Sequence, residues 1–187
     1  DSIVNYTWDR KIKPNCDPRT VNNHVRQDLI KLKREVDLVI LLAHWGYEFV
    51  TYPPYNVTIE AKALVDAGAD IIIGSHPHVL QGSEIYNNSL ICYSLGNFIF
   101  DYKRILLRST AILDVMINGY NNIDYNYIPC FINEDYQPML AVDKRLQYIR
   151  SLIDTSNMYI TSSQRRYILD DDQLYKQYER YYNLSKT

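Results

Sequence analysis

Cysteine is scarce and unpaired in this sequence. Cys16, Cys92 and Cys130 make an odd, widely spaced set with no CxxC pair, which argues against both a thiolate zinc site and a disulfide framework. Cys92 falls in the apolar run Leu90, Ile91, Cys92, Tyr93 and reads as a small buried hydrophobe. An excess of one charge is lacking too. With 20 Lys and Arg against 22 Asp and Glu, the formal net charge is -2, so nothing draws the chain to nucleic acid or anionic lipid and no nucleic-acid partner is expected. No apolar run reaches the length of a transmembrane helix, and no signal peptide opens the chain. The first residue is Asp1 rather than Met, so a longer parent is the expectation.

What is present is enough for a core. A chain of 187 residues, 47% of them hydrophobic, suits one domain or a large piece of one. Tyrosine stands out at 18 residues, and such amphipathic rings pack well at half-buried positions. Residues 1–20 are polar and hold Pro14 and Pro18, as a loop would. Val25, Leu29 and Leu32 recur at helical spacing and predict a surface helix over 25–34. The run Val36 to Leu42 predicts a strand covered on both faces, as in a parallel sheet. Pro53 and Pro54 mark a loop. Thr58 is the expected cap of a helix reaching Ala67, with Glu60 in its first turn and Gly68 ending it. Asp70 to Ile73 is a second buried strand, so the pair forms a βαβ unit with parallel strands.

Beyond Gly82 the pattern changes. Glu84–Tyr86 and Leu90–Ser94 flank Asn87-Asn88, a hairpin signal. Phe98–Phe100 and Ala111–Ile117 read as further strands. Residues 140–187 look helical, with Asp170–Asp172 at a helix N-terminus and Leu174, Tyr178, Tyr181 and Tyr182 on one face; dipole complementarity accounts for the aspartates.

Three of the four histidines stand at strand ends. His44 follows the first buried strand in Ala43-His44-Trp45-Gly46. His76 and His78 follow the second in Gly74-Ser75-His76-Pro77-His78. Ligands of open α/β sheets bind beyond the carboxyl ends of the strands. Pro77 biases His76 toward an extended backbone, and residues two apart on an extended chain point to one side. Imidazoles so placed suit zinc, manganese or iron, as one ion or as a close pair. The alternative is that each histidine only closes a local hydrogen-bond network.

The strings Asp37–Gly46 (DLVILLAHWG), Ala67–Gln81 (AGADIIIGSHPHVLQ) and Tyr93–Phe100 (YSLGNFIF) resemble successive motifs of the CapA-type poly-γ-glutamate capsule-synthesis family, over roughly residues 25–130. That family resembles the calcineurin-like metallophosphoesterases. The resemblance implies a metallophosphatase-like α/β/β/α sandwich, incomplete here at its N-terminal side, with residues 131–187 as a helical extension packed on residues 1–130. It implies two divalent ions (Mn, Zn or Fe) in the intact domain, His44 and His76 holding one and His78 the other. Trp45, Glu48, Gln81 and Asn97 would orient ligands or substrate. The implied setting is capsule synthesis at the bacterial cell surface, with an anchor upstream of Asp1. An anionic polymer or phosphoester would be the substrate, and membrane-bound synthase subunits would be partners. Either metal-dependent hydrolysis or a non-catalytic accessory role is compatible with this.

The family's Gly-Asp, Asn-Leu-Glu and Asn-Asn-His segments are not found upstream of His44. Asn22-Asn23-His24 mimics the last of them, but it sits beside the first helix with no strand before it, and surface solvation accounts for it. The expectation is therefore three imidazoles with no nearby anionic ligand, and at most one weakly bound ion.

Overall fold

The computed structural model describes residues 3–7, 23–119, 122–162 and 176. Its elements are β1 (Ile3–Thr7), α1 (Asn23–Leu32), β2 (Ile40–His44), α2 (Tyr55–Asp66), β3 (Ile71–Ser75), β4 (Leu80–Tyr86), β5 (Ser89–Leu95), α3 (Ile105–Arg108), β6 (Ser109–Ile117), β7 (Ile123–Ile132), β8 (Pro138–Leu140) and α4 (Asp143–Thr161). The aspartates 170–172 and the tyrosines 178, 181 and 182 lie outside the described residues.

Among these residues, one sheet has the order β1-β2-β3-β5-β4 and a second the order β6-β7-β8. Strands β1, β2, β3 and β5 run parallel, and β4 returns antiparallel to β5 at the edge. The βαβ unit read from the sequence is thus β2-α2-β3. The hairpin is also where it was expected. Asn87 and Asn88 both adopt positive φ, 49° and 63°, the combination that lets a two-residue turn follow the strand twist.

Three expectations need correction. Residues 3–7 are not loop: Ile3–Thr7 is strand β1, which pairs in parallel with β2. Thr58 does not cap α2. Helix α2 opens four residues earlier, at Tyr55 with Pro54 as its N-cap (φ -56°, ψ 149°), a position where proline's missing N–H is not needed. Pro54 O accepts the Thr58 N–H at 3.1 Å. The Thr58 hydroxyl donates to Tyr55 O at 2.8 Å, and both Thr58 and Glu60 are buried. Phe98–Phe100 is not a strand. All three residues are exposed in the loop before α3, because the Gly96-Asn97 turn takes the chain off the sheet edge. Conversely, β7 and β8 were not legible in the sequence.

Burial explains the layers. Val25 and Leu29 of α1 and Ala61, Leu64 and Val65 of α2 share one core with Leu41, Ala43, Ile72, Ile91 and Tyr93 of the first sheet. Alternation sends Cys92 to the opposite face, where its Sγ meets Tyr127 Oη at 3.2 Å. Ser83 donates to Tyr125 Oη at 3.1 Å from the same face. The second sheet therefore covers the first. Helix α4 closes the edge strand β4: Ser156 Oγ accepts the Gly82 N–H at 2.7 Å, and Asn157 Oδ1 accepts the Ser83 N–H at 2.8 Å. Its Ile149 and Ile153 pack on Leu80, Ala111 and Phe131. An unpaired edge invites foreign strands, and α4 removes that exposure. The fold is α/β, with helices, parallel sheet and antiparallel sheet layered as in the metallophosphatase-like sandwich. Among the described tyrosines, Tyr93 and Tyr159 are buried, Tyr52 and Tyr86 pack half-buried on the main core, and Tyr136 and Tyr148 are exposed.

Candidate metal centre

Parallel register brings the strand ends to one rim. His44 pairs with Ser75 on one side and with Thr7 on the other. The Trp45 N–H still reaches Ser75 O at 3.1 Å, and then both chains turn. The expected extended backbone at His76 is not what forms. His76 has φ 96° and His78 φ 59°, and in the facing loop Phe49 has φ 66°. Left-handed backbone costs a residue with a side chain about 1–3 kcal/mol, so the surroundings must impose it. They do so through the Phe49 N–H to Pro77 O bond of 2.7 Å, which ties the two loops together, and through the burial of Phe49 beside Val79 and Leu107. The side chains converge through strained turns, not through strand alternation.

Glu48, His76 and His78 each offer a ligand atom, and these atoms lie within 4.8 Å of one another, half-buried. The His44 and His76 rings are 4.6 Å apart between centroids, and those of His76 and His78 are 6.2 Å apart. The expectation of imidazoles with no anionic ligand beside them is thus corrected: Glu48, which the resemblance placed among the residues orienting ligands or substrate, offers a carboxylate to the cluster from the loop that Phe49 bends. Two imidazole nitrogens and a carboxylate oxygen match the preferences of Zn, Mn or Fe. Donors about 2.0–2.2 Å from such an ion lie roughly 3–4 Å apart, so a modest inward adjustment of side chains suffices. The residues fit an ion.

The other candidates divide. Asn97 is at the cluster: its Oδ1 lies 2.7 Å from His78 Nδ1. Trp45 and Gln81 are not. The Trp45 indole is buried and donates to Tyr93 O at 2.9 Å. This contact takes over where the β3–β5 register stops at Ile73 and Cys92. Gln81 is buried too, and donates to Val50 O at 2.8 Å; from there it holds the loop that follows Glu48. His24 is exposed in the first turn of α1.

Sequence reasoning missed an aromatic wall and a hydroxyl. The rings of Phe49, Phe100 and Tyr102 stand 6.0, 5.1 and 5.8 Å from that of His78. Burial, then the Glu48 and Asp101 carboxylates, push the Tyr102 phenol above its ordinary range, so it stays protonated beside the acid. The Ser75 hydroxyl lies 3.3 Å from His44 Nδ1. Nothing in their spacing sets these residues apart; only the folded loops bring them in.

Fold and rim together define a metallophosphatase-like α/β domain with a histidine–carboxylate cluster beyond its parallel strands. A family model described as bacterial capsule synthesis protein PGA_cap matches residues 4–102, just over half of the 187 residues, and the chain belongs to that family. It is 39% identical over 126 residues to the capsule biosynthesis protein CapA of Bacillus anthracis, covering 66% of this chain and 31% of that protein. It is 37% identical over 127 residues to the PGA biosynthesis protein CapA of Bacillus subtilis (strain 168), covering 67% and 33%. A probable polyglutamine synthesis accessory protein of Mycobacterium tuberculosis is 33% identical over 88 residues, covering 46% and 23%. The chain thus spans about a third of the length of the first two relatives, 31% and 33%.

Proposed function

We propose that this chain carries the histidine-rich part of a divalent-metal site in a protein of capsule-polymer biosynthesis, working at the bacterial cell surface. The observation that carries the reading is the convergence of Glu48, His76 and His78 through three strained residues. Strain held by specific ties is characteristic of functional sites. Glu48, His76 and His78 would hold one ion, of Mn, Zn or Fe type. His44, whose ring lies 4.6 Å from that of His76 at a tilt of 44°, would serve a second ion whose remaining ligands come from elsewhere in the parent protein. A bound ion would supply Lewis acidity toward a phosphoryl or carbonyl oxygen. The chain's own residues orient the donors and shield them: Phe49, Phe100 and Tyr102 wall off the His78 side, and the Tyr102 hydroxyl keeps its proton as a donor.

The capsule role rests on the names of the CapA relatives. A substrate of the parent protein would be the anionic polymer or a phosphoester, and membrane-bound synthase subunits would be its partners. No helix of the described residues is long and apolar enough to cross a membrane. In this proposal residues 1–130 form the metal-bearing unit and residues 131–187 the extension packed on it. One relative bears the name of an accessory protein of polymer synthesis. It favours a second reading, in which the bound ion serves polymer binding and not turnover.

Calorimetric titration with Mn²⁺ or Zn²⁺ tests the site. One ion per chain is expected, with binding lost in His76→Ala and weakened in Glu48→Gln. Equal uptake by wild type and both variants would refute it. Metal-dependent hydrolysis of an aryl phosphate and of poly-γ-glutamate by the parent protein separates the two roles.

A further inference from the structure

We infer that Asn97 and Ser75 are positioning residues that fix which ring nitrogen carries the proton in His78 and His44, so that both present Nε2 as the lone-pair atom. The inference rests on the metal-site reading above and names the ligating atoms of that site.

The argument begins with an amide that has no freedom. Asn97 is 5% exposed. Its Nδ2 donates to two backbone carbonyls, His78 O at 3.2 Å and Leu107 O at 2.9 Å. Carbonyls only accept, so flipping the amide would lose both bonds and set oxygen against oxygen. The atom 2.7 Å from His78 Nδ1 is therefore Oδ1. An amide oxygen has no proton to give, so the proton in that contact sits on Nδ1. A neutral imidazole carries one N–H, and Nε2 is left with the lone pair.

A second residue on a different element reaches the same result. The Ser75 hydroxyl donates to Ala43 O at 3.1 Å. Ala43 O can only accept and is the nearer of the two partners; with the hydroxyl proton directed to it, the contact of 3.3 Å with His44 Nδ1 has the ring N–H donating to the hydroxyl oxygen. In both cases the partner of one ring nitrogen decides what the other can do. The strand end of β3 sets His44, and the turn after β5 sets His78. A ring protonated at Nε2 would instead point an N–H at the ion.

The test reads the protons directly. In ¹⁵N-labelled, metal-free protein, long-range ¹H–¹⁵N correlation spectra of the neutral rings should show Nδ1–H for both histidines. Asn97→Ala, which removes the acceptor for Nδ1–H, should release that form at His78. Ser75→Ala, a small truncation at an exposed strand end, should release His44 and leave His78 unchanged. In Zn²⁺ titrations Asn97→Ala should bind about 10–100-fold more weakly. An Nε2–H form of His78 in the wild type overturns the inference whatever the metal does. Nδ1–H forms with no Zn²⁺ uptake would overturn the metal reading and leave the proton assignment standing. Should Asn97→Ala fail to fold, the Ser75→Ala spectrum decides: an unchanged His44 refutes the locking.

Discussion

Glu60 offers the sharpest check on the energetics of this fold. It lies on α2 at 7% exposure, and its Oε1, like Arg26 Nε on α1, is buried without a hydrogen-bond partner. Burial, opposed only in part by the Arg26 charge, pushes its carboxyl from 4.5 up to about 8. In the unfolded chain the group ionises near 4.5; in the native state it stays protonated to about 8. A folded value raised above the unfolded one contributes stability that is complete below about 4.5 and lost as pH rises through about 8. Each unit is worth about 1.4 kcal/mol, so at pH 7 the ionisable group costs up to about 3 kcal/mol relative to a neutral isostere. Glu60→Gln should therefore stabilise the protein at neutral pH. Urea unfolding of both forms at about pH 4, 7 and 9 measures this. The two should agree within about 1 kcal/mol at the acid end and diverge by at least about 2 kcal/mol at the alkaline end. A gap that stays constant with pH would refute the reasoning, since it would mean that Glu60 titrates alike in both states.

Two further expectations concern close approaches. In Gly74→Ala the added methyl would fall on Tyr93 O and on the Trp45 indole nitrogen, breaking the bond that ends the β3–β5 pairing. A loss of about 1–3 kcal/mol is expected, and a chemical melt with an unchanged midpoint would contradict it. In Gly82→Ala the methyl would meet the Asn157 carboxamide and lie 2.7 Å from its backbone nitrogen. Helix α4 should then lift from β4, which hydrogen exchange reads as faster exchange at the Ser83 amide; unchanged protection there would show that the contact does not seal the edge.

Much of the architecture was legible in the residues themselves. The runs Val36–Leu42 and Asp70–Ile73 read as buried strands, and β2 (Ile40–His44) and β3 (Ile71–Ser75) formed there, each shifted toward its histidine. Gly68 at φ 118° ended α2 as its position suggested, and Asn87-Asn88 made the hairpin. Those features are local, set by hydrophobic period and by which residues tolerate positive φ. Proline misled twice. Pro54 opened a helix that had been assigned to Thr58, and Pro77 did not keep His76 extended. In both cases a bond to a distant or preceding carbonyl outweighed a local preference.

The site shows the same division. His44, His76 and His78 at the ends of neighbouring parallel strands follow from sequence, because a βαβ unit fixes which edge its strand ends share. The arrival of Glu48 does not, since it depends on Phe49 taking φ 66° under a bond to Pro77 from another loop. Nor does the retreat of Trp45 and Gln81 into the interior, where their polar atoms close the backbone of Tyr93 and Val50. Sequence settles what is governed by neighbours a few residues apart. Which side chains meet across the rim is governed by contacts between segments some thirty residues apart (Phe49 N–H to Pro77 O), and only the folded chain decides them.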